Sequence, residues 1–133
     1  MFIFDTDIYT NVIRKIPSKK LIDRLKEVPR RDQFTTAITI GEVFYGITKS
    51  SNRLRLLKLF ETVLLSRATI LSFDFLAAKK YDEIRSLLEK QGIPLEHADL
   101  QIAAIALSRN MTLITGNIRH FKRVPNLKVE KWL

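Results

Sequence analysis

The chain has 133 residues, 46% of them hydrophobic, and a net charge of +9 from 23 Lys+Arg against 14 Asp+Glu. That length suits one domain around one core, and no apolar run approaches the ~18 residues that a membrane span needs. It has no cysteines, which excludes a disulfide framework and a thiolate metal site and fits a reducing cytoplasm. The opening MFIFDTD lacks the basic and apolar regions of a secretory signal, so none is expected. The basic excess favours a polyanionic partner, nucleic acid first, against the plainer reading of a solvated basic surface.

In chain order, Phe2 to Asp5 is a short apolar run ending in a carboxylate, a buried strand with Asp5 at its carboxyl end. Thr6 and Asp7 open a helical stretch to about Ile16, and Pro17-Ser18 breaks it, with Ser18 placed to cap the next helix. That helix carries a stripe of Leu21, Ile22, Leu25 and Val28, and a charged loop follows at Pro29 to Asp32. Phe34 to Ile38 reads as a second strand. Thr39 stands ready to cap a helix over 40–49, and Glu42 follows it at the spacing of a capping box. Gly46 inside that helix costs roughly 1 kcal/mol against alanine, which predicts a packing reason for it. After the break at Ser50-Ser51-Asn52, Leu54, Leu57, Phe60, Val63 and Leu64 predict a further helix.

Ala68 to Leu71 is a third strand. Asp74 is the N-cap of a long helix that Gly92 ends, with Ala77, Tyr81, Ile84 and Leu88 on its inner face. In EHADLQIAAIAL, residues 96–107, Leu100, Ala103, Ala104 and Leu107 form one apolar helical face, small alanines allow close approach to a sheet, and Asp99 sits in the first turn. Asn110 stops this helix, Thr112 to Thr115 is a fourth strand, and Gly116-Asn117 is a turn. His120-Phe121 closes a loop, and Leu127-Lys128-Val129 is an edge strand before Trp132. Strands alternate with helices throughout. The expected fold is α/β: one domain over 1–133, with a central parallel sheet of about four to five strands and helices on both faces.

Ligands of such sheets bind outside the carboxyl ends of the strands, where strand order reverses. Asp5 ends the first strand, Glu42 falls in the expected first turn of the helix after the second, and Asp99 in the first turn of the helix before the fourth. Asn117 follows the fourth strand beside Thr115. Each acid has a plainer role: Asp5 or Asp7 as a cap, Glu42 as half of a capping box with Thr39, Asp99 as a first-turn acid favoured by the helix dipole. Caps alone do not require the acids to fall at corresponding edges of one sheet. Converging carboxylates are tolerable around a hard cation such as Mg²⁺ or Mn²⁺, which can activate water against a phosphodiester.

The pieces FDTD at 4–7, TIGEVFYGI at 39–47, HADLQIAAIAL at 97–107, LITGNIRHF at 113–121 and LKVEKW at 127–132 span almost the whole chain. In them the chain resembles the PIN-domain ribonucleases, specifically the VapC toxins of type II toxin–antitoxin modules. The resemblance implies a Mg²⁺- or Mn²⁺-dependent endoribonuclease that cuts tRNA or rRNA, in the cytoplasm and away from membranes. It implies that Asp5, Glu42 and Asp99 are the metal-binding acids and that Asn117 stands at the fourth acidic position. Asn117 supplies no charge there, so a second metal would be held more weakly; Asp7, where the family often has Asn, could partly compensate. The Thr6 and Thr115 hydroxyls are expected to touch the acids or the substrate, and Glu96 is expected to be a solvated acid near the cleft.

His97 is expected to be partly exposed and His120 to be a structural loop residue; neither has the helical partner of a zinc pair. Tyr9, Phe44 and Tyr45 could meet bases or a partner, with packing or dimer contact favoured for Phe44. A VapB-type antitoxin is expected to lay a basic side chain against the acids, in a larger hetero-oligomer. A homodimer is expected through Tyr45, Leu54, Leu57, Leu59 and Phe60. The alternatives are a non-catalytic RNA- or protein-binding module and a metal-dependent DNA nuclease.

Overall fold

The computed structural model describes residues 1–133 apart from the side chain of Val63. Its centre, among the described residues, is a five-stranded parallel sheet in the order β3-β2-β1-β4-β5. The strands are β1 (Phe2–Phe4), β2 (Gln33–Thr36), β3 (Thr69–Leu71), β4 (Thr112–Ile114) and β5 (Val129–Glu130). The chain builds outward from β1 to β3, then crosses back to lay β4 on the free side of β1. Strand order therefore reverses between β1 and β4, and a crevice opens at their carboxyl ends. Parallel strands need long crossovers, and helices supply them on both faces.

The pleat sorts the core into two layers. Ile3 and Leu113 face one way, against α5 (Phe75–Lys90) and α6 (His97–Ser108). Their neighbours Phe4 and Ile114 face the other way, against α1 (Thr6–Ile13), α2 (Lys19–Glu27), α3 (Ala37–Thr48) and the chain around Phe60. Rings continue that second layer: Phe4 lies 5.6 Å from Trp132, Tyr9 lies 5.7 Å from Phe60, and Phe60 lies 5.3 Å from Phe44. Each such side chain, once fully buried, contributes about 1.5–3 kcal/mol of transfer free energy.

Several local readings need correction. α6 has no single apolar face: Leu100 and every residue from Ile102 to Ala106 are buried, because the helix is enclosed by the sheet, α5 and α3. Leu107 is only half-buried. α1 ends at Ile13, not near Ile16. Pro17 disfavours helical backbone at the residue before it, Arg14 is extended, and the Asn11 side chain accepts the Ser18 N–H at 2.8 Å. Ile16 is left 79% exposed. The helix expected from Leu54 to Leu64 is α4 (Arg53–Leu59), a π-helical turn over Phe60–Leu64 and a 3-10 turn over Leu65–Arg67. Within it Thr62 Oγ1 donates to the Lys58 carbonyl at 2.5 Å, a back-bond that competes with the helical ladder. The stripe residue Val63 lies outside the described residues. His120 and Phe121 belong to a short helix, α7 (Ile118–Phe121), and not to a loop.

The surface expected to pair two copies is only partly available. Phe60 is fully buried, Leu57 and Leu59 pack onto the core, and Tyr45 and Leu54 alone of the five are well exposed. Tyr9 is also buried and presents nothing to a base.

The start of α3 also differs. Thr36, not Thr39, is the N-cap: its Oγ1 accepts the Thr39 N–H at 2.9 Å, and the Thr39 hydroxyl is buried against it. β2 consequently ends at Thr36, and Glu42 moves to the second turn, out of reach of any capping box. Nor does Gly46 have a packing reason within this chain, since a Cβ there meets nothing within 4 Å. Gly46→Ala should therefore raise stability by about 0.5–1 kcal/mol, while Thr36→Ala should lower it by about 1–2 kcal/mol. Denaturant melts of the two variants beside the parent measure both; a destabilised Gly46→Ala would mean that α3 needs that glycine in the folded chain.

Candidate active site

Asp5 is the last residue before α1 and follows β1 directly. Its backbone N–H donates to the Ile114 carbonyl at 3.0 Å, which extends the β1–β4 pairing by one residue into the crevice. The residue is only 6% exposed. Oδ1 accepts the Thr6 N–H and Oδ2 accepts the Thr115 hydroxyl, each at 2.8 Å. Thr115, fully buried, in turn accepts the Asn117 N–H at 3.0 Å. One hydroxyl thus ties the end of β1 to the turn after β4. Burial nonetheless pushes the Asp5 carboxyl up to about 6, against those two hydrogen bonds and helped by the charges of Asp7 and Asp99.

Asp7 holds the same turn from below. Its Oδ2 accepts the Gly116 N–H at 2.7 Å, while its other oxygen is buried without a partner. A Cβ on Gly116 would stand 2.6 Å from Asp7 Oδ2 and 2.8 Å from Leu133 Cδ1, so any larger residue there has to displace the Asp7 carboxylate and the Leu133 side chain. Burial raises the Asp7 carboxyl above the usual range, opposed by the Gly116 N–H. Glu42 reaches across from α3 and accepts the Thr6 hydroxyl at 2.6 Å. Asp99 lies in the first turn of α6, its carboxyl raised by burial first, then by the Glu42 charge, with His120 opposing. Glu96 is exposed at the N-cap, makes no capping bond, and adds its charge to the field at Asp99.

Asn117 and His120 meet side chain to side chain. Asn117 Nδ2 lies 2.9 Å from His120 Nδ1, and the same ring nitrogen lies 3.9 Å from Asp99 Oδ2. A protonated His120 opposes the rise of the Asp99 carboxyl by its charge; in the neutral ring with the amide donating, Nδ1 is the bare nitrogen, the ring proton sits on Nε2 and the contact with Asp99 is not an ion pair. His120 is thus a site neighbour and not the structural loop residue expected. Its signal was available: Asn117 and His120 are three apart at the head of a helix, the spacing that puts two side chains together. The bond from Asp7 to Gly116, spanning most of the chain, had no sequence signal.

Asp5, Asp7, Glu42 and Asp99 have no Lys or Arg partner among the described residues. Among those residues no three acids or imidazoles close on one point as their side chains stand. The donors are all oxygen, and one buried carboxylate oxygen is orphaned. Such a set suits a hard cation that keeps part of its water shell, and Asp5, Glu42 and Asp99 are the residues that could hold one.

The PIN domain model matches residues 2–127. Over 133 residues the chain is 32% identical to Ribonuclease VapC2 of Rickettsia felis, covering 99% of this chain and 98% of that one. It is also 32% identical to the tRNA(fMet)-specific endonuclease VapC of Shigella flexneri, over 98% of this chain and 97% of that one. A crystal structure of VapBC2 from Rickettsia felis bound to a promoter DNA fragment contains a chain that superposes with a TM-score of 0.91, at 32% identity and 99% and 98% coverage. The chain belongs to the PIN-domain family, among the VapC ribonucleases.

The raised Asp5 carboxyl makes the pH dependence of the metal-free protein predictable. Its folded-state pKa of about 6 exceeds the ordinary value of 3.8, so the native state keeps a proton that the unfolded chain gives up. The resulting stability is complete below about pH 4 and is lost as pH rises through 6. In EDTA, the melting temperature of the parent should fall between pH 4.5 and 7.5 relative to that of Asp5→Asn. Parallel curves for the two would place the Asp5 carboxyl at its ordinary value.

Proposed function

We propose that this protein is a Mg²⁺- or Mn²⁺-dependent endoribonuclease, the toxin of a VapBC-type module, which cleaves RNA to inhibit translation and is neutralised by a VapB-type antitoxin. The observation that carries the reading is a nearly buried carboxylate, Asp5, in the crevice between β1 and β4, with Asp7, Glu42 and Asp99 around it and no cationic side chain paired with them. A protein of net charge +9 that nevertheless leaves several acids unpaired in one crevice offers a place to a separate cation.

Asp5, Glu42 and Asp99 would hold that ion, and Asn117 would contribute without charge. When bound, it lowers the pKa of a water and offsets charge on a phosphodiester under in-line attack. The chain's own groups do the positioning. Thr115 holds Asp5 and the 116–117 turn in one register, and Thr6 holds Glu42. Half-exposed His120 can offer its Nε2–H to a phosphate oxygen. Arg119, Lys122 and Arg123, exposed on and beside α7, can receive the backbone of the strand. Because a relative bears the name tRNA(fMet)-specific endonuclease, tRNA is the first RNA class to assay.

Asp99→Asn separates a metal-binding acid from a helix-terminal one. Asp99 makes no capping bond, so the variant should fold, and without metal it should melt at or above the parent because one repelling charge is gone. Mn²⁺ should raise its melting temperature less than the parent's. Cleavage should drop by at least about 100-fold, near 3 kcal/mol of transition-state stabilisation. Labelled RNA and DNA strands assayed with Mg²⁺, Mn²⁺ and EDTA provide the test. Parental cleavage by folded Asp99→Asn removes Asp99 from the site, and cleavage of DNA alone replaces the ribonuclease reading.

The same uncompensated acids fit a basic side chain in place of the ion. Solved relatives described as VapBC complexes support a protein partner. Co-expression with a small neighbouring gene should give a co-purifying complex of reduced RNase activity and a chain that no longer arrests growth. Failure to co-purify would count against that neighbour as the antitoxin.

A further inference from the structure

His97 lies two residues before Asp99 in the first turn of α6, but it is turned toward α5. Its Nδ1 is 2.7 Å from the Tyr81 hydroxyl. The two ring planes differ by 20°, and their centroids stand 6.4 Å apart. Face-to-face rings cannot be that far apart and share so short an in-line bond. The rings lie edge to edge, nearly coplanar, joined through the hydroxyl; the Arg85 guanidinium stands over the Tyr81 ring on one side, 5.8 Å from its centroid, and the face of the pair away from it is one flat surface. Arg85 Nη1 donates to the same hydroxyl at 3.0 Å, which leaves the hydroxyl proton to donate to His97 Nδ1; in that tautomer the imidazole proton lies on Nε2. Arg85 is itself held by Glu89 at 3.0 Å, and Phe73 packs edge-on to Tyr81 from the core side at 5.7 Å. The surface is therefore pre-set: Tyr81 is half-buried and fixed, and His97 is exposed and tied to it.

We infer that the coplanar Tyr81–His97 pair is a stacking subsite for a nucleobase of single-stranded RNA, flanking the acidic crevice. The inference rests on the ribonuclease reading of that crevice. Every base presents a π-face, and a rigid aromatic platform receives it without reading its sequence. His97 and Asp99 point from nearly opposite sides of one helical turn, about 10 Å across with side chains. The base on the platform thus belongs to a nucleotide beside the one cut, and the free Nε2–H of His97 is a donor at the rim.

The test is equilibrium binding of single-stranded RNA in EDTA, with 2-aminopurine placed at each position in turn. The parent should quench the fluorophore strongly at one position. His97→Phe, which keeps a flat ring, should retain the quench. His97→Ala should lose it and bind that RNA on the order of 10-fold more weakly. Replacing the quenched nucleotide with an abasic one should weaken the parent's binding and leave that of His97→Ala unchanged. His97 is exposed, so both variants should keep the parent's melting temperature. Quenching by His97→Ala equal to the parent's overturns the subsite, as does absence of quenching by the parent at every position. Binding and cleavage are read separately: a parent that stacks the base but cleaves no RNA with Mg²⁺ or Mn²⁺ defeats the ribonuclease reading and leaves the subsite standing.

Discussion

The hydrogen bond from Thr115 to Asp5 is the contact on which the arrangement depends. It brings a carboxylate to the end of a central strand, in a position almost without water, and offsets part of the cost of keeping a charge there. The same hydroxyl accepts the Asn117 N–H, so the turn after β4 cannot move without disturbing the acid at the end of β1. Since β1 and β4 are neighbours only because strand order reverses between them, the fold's topology and the chemistry of the crevice meet at one oxygen atom.

Around this contact the protein leaves electrostatic work undone. Burial raises the carboxyls of Asp5, Asp7 and Asp99, and neighbouring acids raise those of Asp5 and Asp99 further. A chain with so many lysines and arginines could have placed one among them, yet among the described residues those that pair with acids, Arg24, Lys80, Arg85 and Arg109, do so elsewhere on the surface. Such sites are less stable empty than they need be, and they recover that stability when something positive binds. On the proposed reading, metal and the basic side chain of an antitoxin compete for one deficit, so that a single crevice is both active and silenced.

Rigid support surrounds the crevice. α6 is buried on nearly all sides, and this fixes Asp99 on one side of its first turn and His97 on the other. The two-layer core locks the sheet that carries Asp5 and Thr115. The basic residues and His120 of α7 stand exposed at the edge of the crevice, on a short helix anchored by the fully buried Phe121.

The sequence by itself determined the alternation of strands and helices, and with it the parallel sheet, because period and breakers are local properties of the chain. The quoted stretches also carried the family, which the matched relatives bear out. Capping at Ser18 and Asp74 was legible for the same local reason. Where two threonines stood three apart, only the structure chose Thr36 over Thr39, since the end of β2 is set by pairing with β1 and β3 and not by the helix that follows. Enclosure of α6 on nearly all sides was likewise invisible: a helix covered on most of its faces shows little contrast between them. Tertiary structure alone placed Asp7 on Gly116, His120 beside Asp99 and Tyr81 flush with His97. Each joins residues whose separation or orientation depends on how helices cross the sheet, and no periodicity in the chain encodes that.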